Sequence, residues 1–280
     1  TENEPSLSAD AARAQIEKLL GAKLEAHFSS FNPRGIGASI GQVHRATLHD
    51  GREVAVKIQH PGIAATISYD LRALGWLTAP IGGIRRDFDL PAYRSEIGES
   101  LRREVDYRCE AKSLQRFHAL ARNLTFPVAL PEIVTALSHE HLLVTTWLDG
   151  AHLRDVRHWP QAEREALATS LIELFFRGIW EWGLIHADPH PGNYRFLRRD
   201  GRPTVGLLDF GCVKEIPAEF QAGVHALMRR DKADTTDAAQ IRHAFLQLGF
   251  SPGILDRLAG KLGPIAALLA EPFTARAPFD

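Results

Sequence analysis

The eight residues from His186 to Asn193 include two prolines, two histidines, a glycine, an aspartate and an asparagine. Proline cannot continue a helix and glycine favours turns, so this stretch is predicted to be a loop interrupting a helical region. A short strand pair is predicted near residues 196–209, and the polar tripeptide 209–211 (Asp-Phe-Gly) follows it. Polar loop positions set on a helical scaffold are typical of functional sites.

The order of the predicted elements indicates the fold class. The predicted helices cover residues 8–28, 64–79 and 92–122, and the predicted strands lie within 40–58, 130–134 and 142–147. Beyond Pro160 the pattern is mainly helical. A mixed first half followed by a helical second half predicts an α+β, two-lobed fold, with the lobe boundary near residues 148–150.

Composition excludes several classes of protein. The 33 Lys and Arg balance 34 Asp and Glu, giving a net charge of −1. Such a balance gives no electrostatic reason to expect nucleic acid as a partner. The two cysteines, Cys109 and Cys212, are far apart, which favours a reducing compartment over a disulfide framework or a zinc site. No apolar stretch approaches the ~20 residues of a membrane span, so we expect a soluble, cytoplasmic protein.

Two segments of the first half could contact a phosphate group. Residues 35–41 are a run of small residues, predicted to be a loop that leads into a strand, and such residues let backbone N–H groups approach phosphate oxygens. Lys57 ends the apolar strand 54–57, where its ammonium could reach α- and β-phosphate oxygens. Each signal has a plain structural alternative, namely an ordinary turn and a solvated lysine.

Three carboxylates lie on or near the predicted helix 92–122. Asp106 and Glu110 are four residues apart and are predicted to share a helical face, whereas Glu104 points elsewhere. One of these carboxylates could hold the ammonium of Lys57 in place while another faces a metal ion. The alternative is a solvated acidic helix face, which is the common role of such residues.

The loop and the tripeptide carry the strongest chemical signal. Asp188 and Asn193 are separated by four residues, and Asp209 comes after the strand pair, as in the catalytic apparatus of kinases. Asp188 could accept a proton from a nucleophile, and the other two supply hard oxygen ligands suited to Mg²⁺. His186 and His190 could instead bind a transition metal, but the intervening prolines prevent a shared helical face, so a structural role is favoured.

Together these motifs resemble the AarF/UbiB-type (ABC1/ADCK) atypical protein-kinase-like family. The segments that carry the resemblance are residues 38–46, 50–62, 104–107, 110–111, 186–193 and 209–211. As a set they are specific, and the resemblance covers roughly residues 10–230. It implies a protein-kinase-like fold with a helical extension at 1–35, a small mixed N-lobe with inserted helices at 36–147 and a mainly helical C-lobe at 148–280.

The resemblance also implies roles for individual residues. Lys57 would pair with Glu110, Asp188 would be the catalytic aspartate, and Asn193 and Asp209 would bind Mg²⁺. Glu104 and Asp106 would form the Glu-x-Asp element of the family. The residues implied to bind ATP are Gly37, Ala38, Ser39, Ile40, Val43, Ala55, Lys57, Thr145 and Trp147.

By the same resemblance, the function would be ATP-dependent phosphoryl transfer or ATPase activity in isoprenoid-quinone or lipid metabolism. The implied partners are ATP, a lipid or membrane surface, and quinone-pathway proteins. The chain departs from the family pattern in lacking a Lys-x-Gly-Gln motif, and it carries Gly37 where alanine is common. Ala187 replaces the arginine of regulated protein kinases, and no Ala-Pro-Glu follows at activation-loop distance. We therefore expect the acceptor to be water or a small molecule, for example a lipid-like one.

Two other functions fit part of this pattern. Small-molecule kinases of the aminoglycoside-phosphotransferase type also carry a His-x-Asp-x-x-x-x-Asn loop. A nucleotide-binding regulatory module would use ATP as a conformational ligand without turnover. The first is disfavoured by the run Ala-Ser-Ile-Gly-Gln-Val-His at residues 38–44, and the second by the complete set of catalytic residue types.

Overall fold

The computed structural model describes residues 7–38, 40–63, 98, 105–228 and 237–274, with side chains described as far as residue 271. The chain forms two compact units. One is drawn from residues 1–171 and 187–213, and the other from residues 172–186 and 214–280. These units follow internal packing and not the order of lobes along the chain, so the predicted ranges 1–35, 36–147 and 148–280 stay predictions.

The described elements are eight α-helices and ten strands. The helices are α1 (Ala9–Leu20), α2 (Tyr107–Ala121), α3 (Leu153–Val156), α4 (Gln161–Arg177), α5 (Ala218–Met228), α6 (Ala238–Gln247), α7 (Pro252–Arg257) and α8 (Leu262–Thr274). The strands are β1 (Phe28–Phe31), β2 (Ile36–Ala38), β3 (Gly41–Leu48), β4 (Glu53–Gln59), β5 (Val128–Ala129), β6 (Leu142–Thr146), β7 (Leu184–His186), β8 (Tyr194–Arg199), β9 (Arg202–Leu207) and β10 (Val213–Glu215). The sheets have the orders β1–β3–β4–β6 with β2 paired to β3, β5–β9–β8, and β10–β7.

One face of the main sheet packs into a hydrophobic core, and the opposite face carries Lys57 and its neighbours. Val54, Val56 and Ile58 alternate along β4 and are fully buried in a core shared with Ala12 and Ile16 of α1. Successive side chains of a strand point to opposite faces, so the residues between them face the other way. The register places Val43 opposite Lys57 and Lys57 opposite Leu143, and it places Arg45 opposite Ala55 and Ala55 opposite Thr145. These side chains therefore share the second face.

The first helix is shorter than predicted. It begins after Ser8, whose hydroxyl accepts a hydrogen bond from the N–H of Ala11, and it ends at Leu20. Gly21 has a φ of 67°, a left-handed conformation that glycine adopts readily and that terminates helices. The predicted helix 8–28 is thus wrong beyond residue 20. Phe28 instead begins strand β1, which pairs with β3.

The other predictions for the first half agree in part. The strands within 40–58 and 142–147 and the strand pair near 196–209 are confirmed. The predicted strand 130–134 is wrong, because β5 lies at Val128–Ala129 and Ile133 makes only a single bridge to Thr145. Within the predicted helix 92–122, α2 confirms the part from Tyr107 onward. The predicted helix 64–79 and residues 92–104, apart from residue 98, lie outside the described residues.

The second unit is mainly helical, as predicted for the chain beyond Pro160, and it also contains strand β7. Its core is formed by side chains of α5, α6, α7 and α8, among them Leu227, Ile241, Phe245 and Leu255. Gly183, with a φ of 60°, ends a short π-helical turn that continues α4. Among the described residues, no helix combines the length and the apolar character that crossing a membrane would require.

A series of buried hydrogen bonds connects the segment that precedes α1 with strand β3. The N–H of Leu7 donates to Oε1 of Gln42 at 2.8 Å, so the amide nitrogen of Gln42 faces Nε2 of His44 at 2.8 Å. Nε2 must therefore accept, and Nδ1–H of His44 donates to the carbonyl oxygen of Asn32 at 3.0 Å. The ring of Phe31 stacks on the imidazole at 4.9 Å. This arrangement admits only the neutral imidazole.

The protein is expected to lose stability as the pH falls below about 6.5 because of His44. Burial lowers the pKa of His44 from its ordinary value, although the bond to Asn32 opposes the shift. The unfolded chain therefore binds a proton at higher pH than the folded chain does, and the free energy of unfolding falls in that window. Urea unfolding at pH 7.5 and 5.5 should show a smaller pH dependence for His44→Gln than for wild type. Equal pH dependence would contradict a neutral, buried His44.

Candidate nucleotide site

An ion-pair cluster centred on Lys57 lies on the second face of the main sheet. The ammonium nitrogen of Lys57 contacts Oε1 and Oε2 of Glu110 at 3.0 and 2.9 Å, and Oδ2 of Asp209 at 2.9 Å. The ammonium also lies 5.3 Å from the ring centroid of Tyr107. The side chains of Lys57 and Glu110 are only 12% and 6% exposed. One buried ammonium thus joins a strand, a helix and the segment after β9.

Burial and neighbouring charges both shift the pKa values of Lys57 and Glu110 in this cluster. Burial alone would lower the pKa of Lys57, but the carboxylates of Glu110 and Asp209 outweigh it and raise that pKa well above its ordinary value. Burial raises the pKa of Glu110, and the charge of Asp209 adds to the shift while Lys57 opposes it. Two carboxylates thus share one buried ammonium, and their negative charge favours cations at this place.

The start of α2 is held in place by Gln59, the last residue of β4. The side-chain nitrogen of Gln59 donates to the carbonyl oxygen of Val105, and its side-chain oxygen lies 3.0 Å from Nδ1 of His141. The N–H of Tyr107 donates to the carbonyl oxygen of Glu140 at 2.9 Å. These contacts fix the first turn of α2 against β4 and β6, and that turn carries Glu110 towards Lys57.

Asp106 has a different position from the one predicted. With φ −117° and ψ 100° it is extended and precedes α2, and its carboxylate accepts from the N–H of Arg108. It also accepts from the guanidinium of Arg108, which lowers the pKa of Asp106. The expectation that Asp106 shares a helical face with Glu110 is wrong, because the helix begins one residue later. Glu104 lies outside the described residues.

The loop after β7 orients Asp188. Its Oδ2 accepts from the side-chain amide of Asn193 at 2.7 Å, and its Oδ1 accepts from the N–H of His190 at 3.2 Å. Residues 191–193 form a 3₁₀ turn with a proline at its start, and Nδ1 of His190 accepts from the N–H of Gly192. Asp188 and Asn193 are therefore locked side by side.

Two backbone hydrogen bonds join this loop to the segment that carries Asp209. The N–H of Ala187 donates to the carbonyl oxygen of Cys212 at 3.2 Å, and the N–H of Leu208 donates to that of Asn193 at 3.0 Å. Strands β8 and β9 lie between them as an antiparallel pair. The hairpin thus brings Asn193 and Asp209 to the same end, although 15 residues separate them in the sequence.

Phe210 fixes the orientation of Asp209. Its ring is almost fully buried and meets the ring of Phe117 of α2 edge-on, with the centroids 5.2 Å apart. The N–H of Phe210 faces Oε1 of Glu110 at 3.5 Å, and Oδ1 of Asp209 accepts from the N–H of Gly211 at 2.9 Å. The tripeptide is therefore packed against α2 with its aspartate directed at Lys57.

Only some of the residues predicted to bind the nucleotide lie on the sheet face that carries Lys57. Val43, Ala55 and Thr145 share the sheet face of Lys57. The small-residue segment is mainly a hairpin and not an open loop, because Gly37 and Ala38 belong to β2, which pairs with β3. Ser39 lies outside the described residues.

Two of those predicted residues are engaged with protein neighbours. Ile40 is buried in a cluster with Tyr107 and Leu143, so its side chain serves packing. The indole N–H of Trp147 donates to Asp149 at 2.8 Å, and the guanidinium of Arg45 lies 4.9 Å from the indole ring centroid. Both side chains therefore have structural partners, and their predicted contacts with a nucleotide stay predictions.

Comparison with known proteins assigns the family. The model of the ABC1 atypical kinase-like domain matches residues 1–242 of the 280. This chain belongs to that family. This match and the AarF names of its relatives confirm the AarF/UbiB-type resemblance. The match to a kinase-like domain, together with the sheets and helices of the structure, confirms the α+β fold class.

Curated relatives of the ABC1 family cover most of this chain. AarF domain-containing protein kinase 1 of Xenopus tropicalis is 30% identical over 260 residues, which is 91% of this chain and 47% of the relative. The mitochondrial atypical kinase coq-8 of Caenorhabditis elegans is 32% identical over 210 residues, which is 74% of this chain and 28% of the relative. This chain thus spans less than half of the length of these relatives.

A solved structure is similar along nearly the whole chain. The complex of Rv3197 with erythromycin from Mycobacterium tuberculosis is 29% identical, with a TM-score of 0.70, and the alignment covers 99% of this chain and 73% of that one. The erythromycin belongs to that complex.

The donor set fits magnesium better than a transition metal. Asn193 and Asp209 offer amide and carboxylate oxygens, which are ligands that Mg²⁺ accepts. Across the described ranges, no group of three or more His, Cys, Asp or Glu side chains could hold a metal ion by itself. A magnesium ion in this ABC1 domain would therefore take further ligands from phosphates and water, as Mg²⁺ bound with a nucleotide does.

Sequence reasoning missed three residues of this site. Gln59 holds the start of α2, Tyr107 lies beside the ammonium of Lys57, and Arg195 adjoins the loop that carries Asn193. Only Gln59 had a visible signal, a glutamine in a buried strand, because buried polar groups require partners.

Proposed function

We propose that this ABC1-family chain binds ATP with Mg²⁺ and uses it in phosphoryl transfer or hydrolysis, as a UbiB-type atypical kinase or ATPase. The observation that carries the proposal is the simultaneous contact of the Lys57 ammonium with Glu110 and Asp209. Kinases of the protein-kinase type need a lysine held by a helix glutamate together with a metal-binding aspartate next to it.

Each residue has a part in this proposal. Lys57 would contact the α- and β-phosphates, because Glu110 prevents its ammonium from turning to solvent. Asn193 and Asp209 would hold Mg²⁺, which neutralises charge between the phosphates when bound. The negative charges of Glu110 and Asp209 favour a cation beside Asp209. Asp188, fixed by Asn193, would orient the nucleophile and accept its proton.

We propose water or a small, lipid-like molecule as the acceptor. Ala187 leaves no arginine in this loop to gather a phosphorylated segment, and no Ala-Pro-Glu follows Gly211 at the usual distance. The mitochondrial coq-8 relative supports a role related to ubiquinone. A cytoplasmic place near a membrane surface, with quinone-pathway proteins as partners, is part of the same proposal.

Asp209→Asn is expected to lower Mg²⁺-dependent ADP release by at least about 100-fold, because it removes a charged ligand from the metal. The measurement is ADP release from ATP with and without Mg²⁺, and with and without vesicles containing anionic lipid. Asp200→Asn is the matched control. Asp200 lies in an exposed turn with φ 52°, which asparagine tolerates, so this variant should release ADP like wild type.

Three outcomes would count against the proposal. If wild type releases no ADP while ATP raises its melting temperature, a regulatory nucleotide-binding module is favoured. Saturable phosphorylation of a sugar or an amino alcohol would favour a small-molecule kinase of the aminoglycoside-phosphotransferase type. Stoichiometric phosphorylation of one protein would contradict the proposed acceptor.

A further inference from the structure

Arg195 occupies a tight position beside the segment that follows β6. It lies in β8 opposite Gly206 of β9. A Cβ atom on Gly150 would lie 2.9 Å from Cβ of Arg195, and one on Gly206 would lie 3.4 Å from it. The first distance is too short for real Cβ atoms, so only glycine fits at position 150 without a shift of its neighbours, whereas the second is an ordinary van der Waals contact. The Arg195 side chain therefore emerges between residue 150 and the β8–β9 hairpin.

The guanidinium of Arg195 is only partly satisfied by the protein. Its Nη1 donates to the carbonyl oxygens of Gly192 and Tyr194 at 3.2 and 2.8 Å. Guanidinium has five N–H groups, so those of Nε and Nη2 remain, and the described residues offer them no acceptor. By contrast, Arg198 on the same strand makes a double contact with Glu163.

The charge of Arg195 also lacks a carboxylate partner among the described residues. Its side chain is half-buried, and burial lowers the pKa of Arg195 with no opposing contribution from an acidic group. Keeping a partly desolvated cation without a counter-charge costs free energy. Such a position is stabilised when an anionic or oxygen-rich ligand binds next to it.

The place of Arg195 in this unit narrows the identity of that ligand. The segment after β6 is bonded to β4 through Trp147 N–H and Glu53, and to β8 through the paired residues Ala151 and Phe196. Arg195 precedes Phe196, so it lies where this segment reaches β8. Its guanidinium turns towards Gly192, the neighbour of Asn193. Arg195 is thus close to Gly150, three residues after the predicted ATP-binding residue Trp147, and to Gly192, the neighbour of the predicted metal ligand Asn193.

We propose that Arg195 is a nucleotide-binding residue whose open N–H groups donate to the ribose and α-phosphate oxygens of the nucleotide. This inference rests on the proposed function, because it concerns the same ATP site. In the proposed site the phosphates lie at Lys57 and Asp209, and Trp147, which the resemblance implies to bind ATP, precedes Gly150 by three residues. A cation between these two ends would meet the ribose and the first phosphate.

The test is calorimetric binding of ADP, AMP and adenosine to wild type and to variants of Arg195. Arg195→Leu should weaken ADP binding about 10- to 100-fold, the value of a charge-assisted hydrogen bond. Arg195→Gln keeps a donor for Gly192 but loses the charge, and it should weaken binding in the same direction. Arg199→Leu is the matched control, because Arg199 lies exposed on the same face of β8 and should bind like wild type.

The pattern across the three ligands decides the outcome. Weaker binding of ADP and AMP with unchanged adenosine binding supports contact with the α-phosphate, and equal weakening of all three supports contact with the ribose. If folded Arg195→Leu binds ADP as tightly as wild type or more tightly, the inference is overturned while the proposed function stands. If wild type binds no nucleotide, both are overturned. Thermal unfolding verifies that each variant is folded.

Discussion

Replacing Lys57 with methionine is expected to lower the free energy of unfolding by about 3–5 kcal/mol and to abolish nucleotide turnover. The change leaves the buried carboxylate of Glu110 facing Asp209 without the ammonium that joins them. Protonation of Glu110 would limit the loss, so the deficit should be larger at pH 8 than at pH 5. Urea unfolding at the two pH values and ADP release measure the two effects.

A second variant separates stability from activity. Lys57→Met combined with Glu110→Leu removes both charges, so most of the lost stability should return while turnover stays absent. Lys23→Met is the matched control, because Lys23 pairs with Glu17 at the same 2.9 Å but is 79% exposed. It should cost at most about 1 kcal/mol. Equal losses of unfolding free energy for Lys57→Met and Lys23→Met would show that burial does not strengthen the Lys57 ion pairs.

The chemistry of the site could be recognised from local sequence. Apolar alternation at Val54 and Val56 placed Lys57 in a strand, and the prolines beside Asp188 excluded a helix there. The prediction that Lys57 ends the strand was wrong, because β4 continues to Gln59. These signals are short-range, because strand alternation and proline geometry act over a few residues. The structure then brings Lys57 and Glu110 together across 53 positions of sequence. Only the family resemblance suggested that pairing, and the catalytic roles of both residues stay predictions.

The predictions were wrong for residues that lie close to the end of a helix. A spacing of four suggested that Asp106 and Glu110 share a face, but this holds only if both lie inside the helix. The carboxylate of Asp106 instead accepts from the N–H of Arg108 and caps the helix, which is a common role of aspartate at this position. In the same way, the predicted helix 8–28 ends early at Gly21, and Phe28 belongs to strand β1 instead.

The environment of Arg195 could not be predicted from the sequence, for a different reason. Its neighbours Gly150 and Gly206 lie far from it in sequence and reach it only through sheet register. No local pattern gives that register, since it is set by the pairing of β8 with β9 and by the bridge at Ala151. The absence of a carboxylate partner is likewise a property of the folded surroundings. Such a residue becomes a candidate only once the structure is known.

Replacing Gly41 with alanine is expected to lower the free energy of unfolding by about 3 kcal/mol or more. A Cβ atom on Gly41 would lie 1.9 Å from the carbonyl oxygen of Ile58, well inside van der Waals contact. The obstacle is backbone and cannot rotate away, so β3 and β4 would have to separate where Gly41 pairs with Gln59. Chemical unfolding measures the loss. ADP binding should weaken as well, because the adjacent Ile40 packs against Tyr107 and Leu143 behind Lys57.

Gly37→Ala is the matched control on the same hairpin. A Cβ atom on Gly37 meets no described atom within 4 Å, so the free energy of unfolding of Gly37→Ala should stay within about 0.5 kcal/mol of wild type. The substitution is chemically identical and lies four residues away, and only the distance to the described backbone differs. Gly41 is then needed for the close approach of two strands, whereas no described atom comes close to Gly37 beside the predicted phosphate site. Equal destabilisation by the two alanines would instead show that a general loss of glycine flexibility in the hairpin governs its stability.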